Sequence, residues 1–208
     1  MNSYDDEYRI TEGLFWETSP AKYVRLFADG NYLNLEGKSV LDIGAGEGKN
    51  TLYMAKLGCY VDAIDISMTA LRKLQFLNDF ESYKNQINLI NADVLTFNSN
   101  KKYDLVISYG LLHALGTRIN VQNVITALKS CVKVNGYIII ASFNNLVPPP
   151  SIQPYLKIDA FLNPFELKTI FTDWEIINYE EEIITETHHT SNVEHQHSIS
   201  RLIAKKNV

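Results

Sequence analysis

The stretch Val40-Leu41-Asp42-Ile43-Gly44-Ala45-Gly46-Glu47-Gly48 restricts what this chain can become more than any other. An apolar run ends in three glycines at alternate positions, and a helical pattern begins directly behind them at Lys49. Strand, glycine turn and helix in that order open a βαβ unit. The rest of the chain repeats the alternation. Short runs rich in Val and Ile predict strands over 39–43, 60–64, 87–90, 105–108 and 136–141. Apolar residues at helical spacing predict helices over 49–57, 68–80 and 121–132. Such alternation builds a parallel sheet with right-handed crossovers. The stretch 93–103 is too short for a good crossover helix and reads as loop. Two alternating runs, 175–187 and 193–205, flank a turn at 188–192, so an antiparallel hairpin is expected to finish the sheet. The expected fold is α/β: a seven-stranded, mostly parallel, doubly wound sheet with a C-terminal antiparallel hairpin.

The flanks carry their own signals. Ser19-Pro20 predicts a helix start, with Ser as N-cap and Pro at the first helical position. Pro148-Pro149-Pro150 and Pro154 rule out helix or central strand and predict a stiff surface loop. Asn163-Pro164-Phe165-Glu166 predicts another helix, with Glu166 in the capping-box place. At 208 residues the chain suits one domain. Its expected parts are an N-terminal helical cap over the cleft (1–36), a ligand-binding core (37–142), and a loop, helix and hairpin (143–208).

Charge and composition narrow the partners. With 46% hydrophobic and 21% charged residues the chain reads as globular. A net charge of −5, with its 19 Lys and Arg scattered among acids, disfavours nucleic acid as the main partner. No apolar run approaches the ~20 residues of a membrane span, and the first residues lack the basic and apolar regions of a signal peptide. Cys59 and Cys131 form no CxxC pair and read as small core residues of a reducing compartment. The expectation is a cytoplasmic protein, monomer or homodimer, that acts on a small molecule.

The glycine turn falls at the carboxyl ends of the strands, where open α/β sheets bind ligands. Its GxGxG spacing differs from the GxGxxG of dinucleotide sites. Glu47 is expected in the first turn of the following helix, where a carboxylate repels a pyrophosphate. The ligand should therefore lack a diphosphate. S-adenosylmethionine meets that condition and carries a positive sulfonium. Asp65 ends the second strand about 20 residues after the glycines, the spacing at which an acid accepts ribose hydroxyls. Its other role would be to cap the next helix, which Ser67 can do itself. Asp93 ends the third strand and suits an exocyclic adenine amine, or else simply forms a turn.

Taken together, VLDIGAGEG, AIDIS, NADV and YDLVIS resemble the class I S-adenosylmethionine-dependent methyltransferases. The resemblance spans roughly residues 12–205 and is nearest to the small bacterial branch that includes the tellurite-resistance and thiopurine-type methyltransferases. That branch is suggested by Phe15-Trp16-Glu17-Thr18-Ser19-Pro20, by Gly46-Glu47-Gly48-Lys49-Asn50, by the segment from Phe161 to Leu167 ahead of Asp173-Trp174-Glu175, and by the His-rich last hairpin. It implies S-adenosylmethionine as cofactor. The backbone at Gly44 and Gly46, above Asp42, would hold the methionine moiety. Asp65 would take the ribose, Ile66 would pack on the adenine, and Asp93 with the backbone of Val94 would read the adenine edge. Ser108 and Tyr109 would lie near the transferring methyl.

The acceptor is less legible. Methyl transfer from a sulfonium is a direct displacement, so a general base is needed only for an acceptor that keeps its proton. Thiols, chalcogen oxyanions, and N or O nucleophiles are the candidates. Ser108-Tyr109-Gly110-Leu111 replaces the Asn/Asp-Pro-Pro-Tyr signature of amide and base methylation. His113 is the best-placed potential base, or else it sits on the helix after the fourth strand. Phe15, Trp16 and Tyr109 can wall an acceptor pocket or merely pack the core. His195 and His197 share one face of a strand, with His188 or His189 brought near by the turn, a geometry that can bind zinc. Solvent-exposed hairpin histidines are the commoner outcome, so no metal is assigned, and the resemblance places His197 on the acceptor side of the cleft. Two rival readings are a non-catalytic S-adenosylmethionine-binding module and a nicotinamide-dependent oxidoreductase.

Overall fold

The run Val40 to Ile43 is apolar at nearly every position because both of its faces are covered. The computed structural model describes residues 4–187 and 193–207. Two helices come first, α1 (Tyr4–Ile10) and α2 (Lys22–Asp29). The alternating core follows: β1 (Ser39–Ile43), α3 (Lys49–Lys56), β2 (Tyr60–Asp65), α4 (Met68–Gln75), α5 (Phe80–Tyr83), β3 (Ile87–Asn91) and β4 (Tyr103–Tyr109). Then come α6 (Arg118–Cys131), β5 (Val132–Asn144), α7 (Glu166–Ile170), β6 (Glu175–Thr187) and β7 (Glu194–Lys205). The sheet order is β3-β2-β1-β4-β5-β7-β6, parallel from β3 through β5 and antiparallel at β5–β7 and β7–β6. This is the expected seven-stranded mixed sheet. No helix among the described residues is long and apolar enough to cross a membrane.

Successive strand residues feed two separate cores. Leu41, Ile43, Val106, Ile138 and Ile140 pack with Val121, Val124, Ile125 and Leu128 of α6 on one face. Val40, Val61, Leu105, Ile107 and Ile139 pack with Tyr23, Val24 and Phe27 of α2 and Leu52, Met54 and Ala55 of α3 on the other. Each fully buried Ile, Leu or Val contributes about 1.5–3 kcal/mol. Cys59 and Cys131 are buried free thiols beside these cores.

Several elements depart from the sequence expectation. The helix expected over 68–80 stops at Gln75, and α5 restarts at Phe80. Asn78 and Asp79 lie between, residue types whose side chains compete for backbone groups. α6 starts three residues early because the Thr117 hydroxyl accepts from the Asn120 amide. It ends at Cys131, since Val132 already belongs to β5. Ser19-Pro20 do not open α2. Its N-cap is Ala21, which has no capping side chain, and Asn50 of α3 supplies the acceptor instead, 2.9 Å from the Ala21 amide. Glu166 does reach back, accepting from the Asn163 amide at 2.8 Å, though α7 lasts only five residues. The prolines at 148–150 carry neither helix nor strand.

Candidate functional site

The carboxyl ends of β1, β2, β3 and β4 converge on the glycine turn, because parallel strands share one direction. The turn is tied to β2: the Gly44 and Ala45 amides both donate to the Ile64 carbonyl, at 2.8 and 3.0 Å. The Gly46 amide donates to Asp65 Oδ2 at 2.7 Å. At Gly46 the backbone turns left-handed, with φ of 55°, and an added Cβ would come 2.9 Å from the Tyr8 hydroxyl. Glycine is required there by conformation and by close approach alike.

Asp42 lies beneath the turn, 1% exposed. Its Oδ2 accepts from the Thr51 hydroxyl at 2.6 Å, and burial pushes its carboxyl up to about 6. Asp65 accepts from the amides of Gly46 and Ser67, and burial outweighs those bonds to raise its pKa. Ser67 caps α4 with its own hydroxyl, which accepts from the Ala70 amide at 3.1 Å. Ile66 is 66% exposed, an apolar face with no protein cover. Asp93 is half-buried and forms an Asx turn, its Oδ1 accepting from the Leu95 amide at 2.9 Å. Val94 is half-buried against the first core.

Beside the turn lies a cavity of about 150 Å³. One wall is Gly44 to Asn50, and the N-terminal segment adds Tyr4, Tyr8 and Trp16. Tyr109, His113, Phe143 and Glu186 close the far side. Of the residues expected near the acceptor, Trp16, Tyr109 and His113 line this cavity. Phe15 does not: it is buried behind the wall, edge-on to Tyr8 and to Trp16. Ser108 is fully buried on the α6 side, and its hydroxyl neither lines the cavity nor finds a partner among the described residues. His197 is also removed from the cavity wall. It is 1% exposed and stacks on Phe143 at 3.9 Å, and Phe143 stacks on His113 at 3.9 Å. The expectation of solvent-exposed hairpin histidines fails for His195 and His197, which are both buried. His188 and His189 lie outside the described residues.

The geometry of His113 decides its chemistry. The Phe143 amide donates to His113 Nδ1 at 3.2 Å, so that nitrogen holds the lone pair and Nε2 carries the proton of the neutral ring. Nε2 sits 3.3 Å from the Tyr4 hydroxyl. Burial pulls the ring down to about 3. Its one lone pair is engaged by backbone, so the ring does not serve as the expected general base. It orients Tyr4 in the cavity wall instead. Tyr109 is held from the other side, its hydroxyl accepting from Arg201 Nε at 3.2 Å. Lys49 brings a cation to the cavity, 5.2 Å over the Trp16 ring, with its pKa lowered by burial.

Glu47 stands outside the helix turn in which its sequence position predicts it. It precedes the αL N-cap Gly48 instead of falling in the first turn of α3. Its carboxylate accepts from the Phe15 amide at 2.8 and 3.0 Å and from the Trp16 amide at 2.9 Å, and it pairs with Lys73 at 3.2 Å. It is a clamp that holds the N-terminal segment on the turn. Tyr4 and Tyr8 were also missed. Their only signal is a spacing of four residues in a seven-residue helix, and nothing local says what that helix covers.

A family model described as Tellurite resistance protein TehB matches residues 33–199. A curated relative from Haemophilus influenzae (strain ATCC 51907 / DSM 11121 / KW20 / Rd), named "Probable S-adenosyl-L-methionine-dependent methyltransferase TehB", is 32% identical over 144 residues, 68% of this chain and 48% of the relative. The chain therefore spans about half the length of the curated relative it matches. The crystal structure of TehB from Haemophilus influenzae superposes with a TM-score of 0.73 at 25% identity, over 89% of this chain and 62% of that one. Magnesium protoporphyrin IX methyltransferase from Synechocystis PCC 6803, solved with bound SAM, shares the fold with a TM-score of 0.61 at 20% identity, over 98% of this chain and 79% of that one.

Proposed function

The chain belongs to the family of the tellurite resistance protein TehB, and we propose that it is an S-adenosylmethionine-dependent methyltransferase acting on a small molecule. One observation carries the reading. A glycine cradle held by Asp65 at the end of β2, with Asp42 beneath it, opens onto a small aromatic cavity that the N-terminal segment covers. The residues present fit the cofactor: Gly44 and Gly46 present bare backbone to the cavity, and Ile66 offers an uncovered apolar face beside Asp65.

In this reading Gly44 and Gly46, above Asp42, hold the methionine moiety. Asp65 accepts from the ribose hydroxyls, Ile66 packs on the adenine, and Asp93 with Val94 reads its edge. The cofactor supplies a sulfonium methyl, already activated for displacement. What remains for the protein is alignment and exclusion of water. Tyr4, Trp16 and Tyr109 wall the acceptor, and the segment that carries Tyr4, Tyr8 and Trp16 acts as the cap, while α2 packs in the second core. Because the lone pair of His113 is engaged, the acceptor is one that arrives as an anion, a thiolate or a chalcogen oxyanion, with Lys49 supplying the countercharge. Isothermal titration with S-adenosylmethionine tests the first part: one-to-one, micromolar binding is expected. Absence of heat, with no cofactor co-purifying, would remove the reading and bring forward the nicotinamide alternative.

A further inference from the structure

Glu186 of β6 stands directly opposite His195 of β7, and His197 follows two residues along, opposite Ile184. Residues two apart on a strand share a face, so all three side chains rise from one side of the hairpin. One ligand atom from each lies within 4.8 Å of the other two. His197 Nε2 is 3.9 Å from Glu186 Oε2, and the two imidazole rings meet edge-on with centroids 4.9 Å apart. Both histidines are buried and Glu186 is half-buried.

A second observation bears on what these groups are for. His195 Nδ1 lies 2.9 Å from the Val193 carbonyl. A carbonyl only accepts, so Nδ1 carries the proton and Nε2 presents its lone pair to the cluster. An imidazole that donates to a backbone carbonyl while its other nitrogen faces a carboxylate and a second imidazole has the orientation of a metal ligand with its outer partner. Two imidazoles and one carboxylate suit a divalent first-row ion, zinc above all, and leave coordination positions open. Donors about 2.0–2.1 Å from zinc in a tetrahedral site stand about 3.4 Å apart. The observed spacings need only modest side-chain rotation to reach that.

We propose that Glu186, His195 and His197 form a zinc site at the turn end of the β6–β7 hairpin, with at least one open position. Glu186 also lines the cavity, so the ion sits at the cavity wall, within electrostatic reach of Lys49. A thiolate or oxyanion acceptor would complete its coordination there. That last step rests on the methyl-transfer reading, and the site itself does not.

The test titrates the purified full chain with Co²⁺, whose visible absorption reports four- or five-coordinate nitrogen and oxygen ligation. Zn²⁺ is then added as competitor. One equivalent of Co²⁺ is expected, displaced by Zn²⁺, and Zn²⁺ alone should raise Tm. Glu186→Gln lies on the half-exposed strand and is expected to keep the fold. Together with His195→Gln it should weaken Zn²⁺ binding about tenfold or more at unchanged far-UV circular dichroism. Absence of any Co²⁺ spectrum and of any zinc-dependent rise in Tm in the wild type would overturn the site. So would unchanged binding in Glu186→Gln and His195→Gln alongside lost binding in a His188→Gln, His189→Gln double variant. The cofactor titration reads the glycine turn and not the hairpin: a chain that binds zinc but no S-adenosylmethionine, or the reverse, tells which reading failed.

Discussion

Glu47→Ala should release the N-terminal segment while leaving the sheet intact. The carboxylate accepts from the Phe15 amide, which is buried, and from the Trp16 amide, which is partly buried. Removing it strands two donors, each at a cost of about 1–3 kcal/mol. Lys73 loses its partner as well, but it is partly exposed and keeps the Thr11 carbonyl at 3.0 Å, so its share is about 1 kcal/mol at most. The sum is about 4 kcal/mol, or about a thousandfold in the closing equilibrium. The loss is local because the segment packs on α4 and the turn and is not woven into either main core. Amide hydrogen exchange at Phe15 and Trp16 reads it directly, and both should exchange about a thousandfold faster than in the wild type. Glu47→Gln keeps a neutral acceptor and should show about 1–2 kcal/mol, a tenfold effect. Since the segment brings Tyr4, Tyr8 and Trp16 to the cavity, S-adenosylmethionine affinity should fall in the same order. Unchanged exchange at Phe15 and Trp16 in Glu47→Ala would refute the clamp.

Other outcomes follow from the same geometry. Asp65→Ala should weaken S-adenosylmethionine binding by about 1–3 kcal/mol in a calorimetric titration, through unpaired ribose hydroxyls and an unpaired Gly46 amide. Equal affinity would displace the ribose from Asp65. Asp42 titrates near 6 when folded, against 3.8 as its ordinary value, so the folded chain binds that proton more tightly than the unfolded chain. The favourable contribution of Asp42 is therefore full below about pH 4 and is lost as pH rises through 6, a change of about 3 kcal/mol. Urea titrations at pH 4 and 7 should show the wild type losing that much relative to Asp42→Asn, and parallel pH profiles would count against it. At Gly48, φ is 83° and an added Cβ would fall 2.0 Å from Leu74 Cδ1. Gly48→Ala should cost about 2–4 kcal/mol, from left-handed backbone and a displaced core leucine. Calorimetry should show Tm lower by about 5–15 °C, and an unaltered Tm would mean that the turn relaxes freely.

Much of the architecture was legible because it is written in short-range terms. The run from Val40 to Gly48 carries strand, turn and helix in nine consecutive residues, and the strand-end acids Asp65 and Asp93 can be placed by counting from it. Boundaries moved where a long-range partner intervened. Asn50, not Ser19, supplies the acceptor at the start of α2, because α3 passes close by. Val132 joins β5 because Tyr103 of β4 pairs with it. Site residues followed the same division. Trp16, Tyr109 and His113 reach the cavity as expected, whereas Phe15 and Ser108 are buried beside it and His197 stands behind Phe143.

The sequence alone determined the α/β class, the mostly parallel sheet with its antiparallel terminal hairpin, and the glycine turn after the first strand. Hydrophobic period and glycine conformation act within a few residues, so they can be read without knowing the fold. Only the tertiary structure decided what the polar groups do. Glu47 became a clamp, His113 lost its role as a base to the Phe143 amide, and Glu186 met His195 and His197 across a hairpin. The partners of these buried polar groups lie 9 to more than 100 positions away in the chain, and their proton, charge and hydrogen bonds are set by those partners.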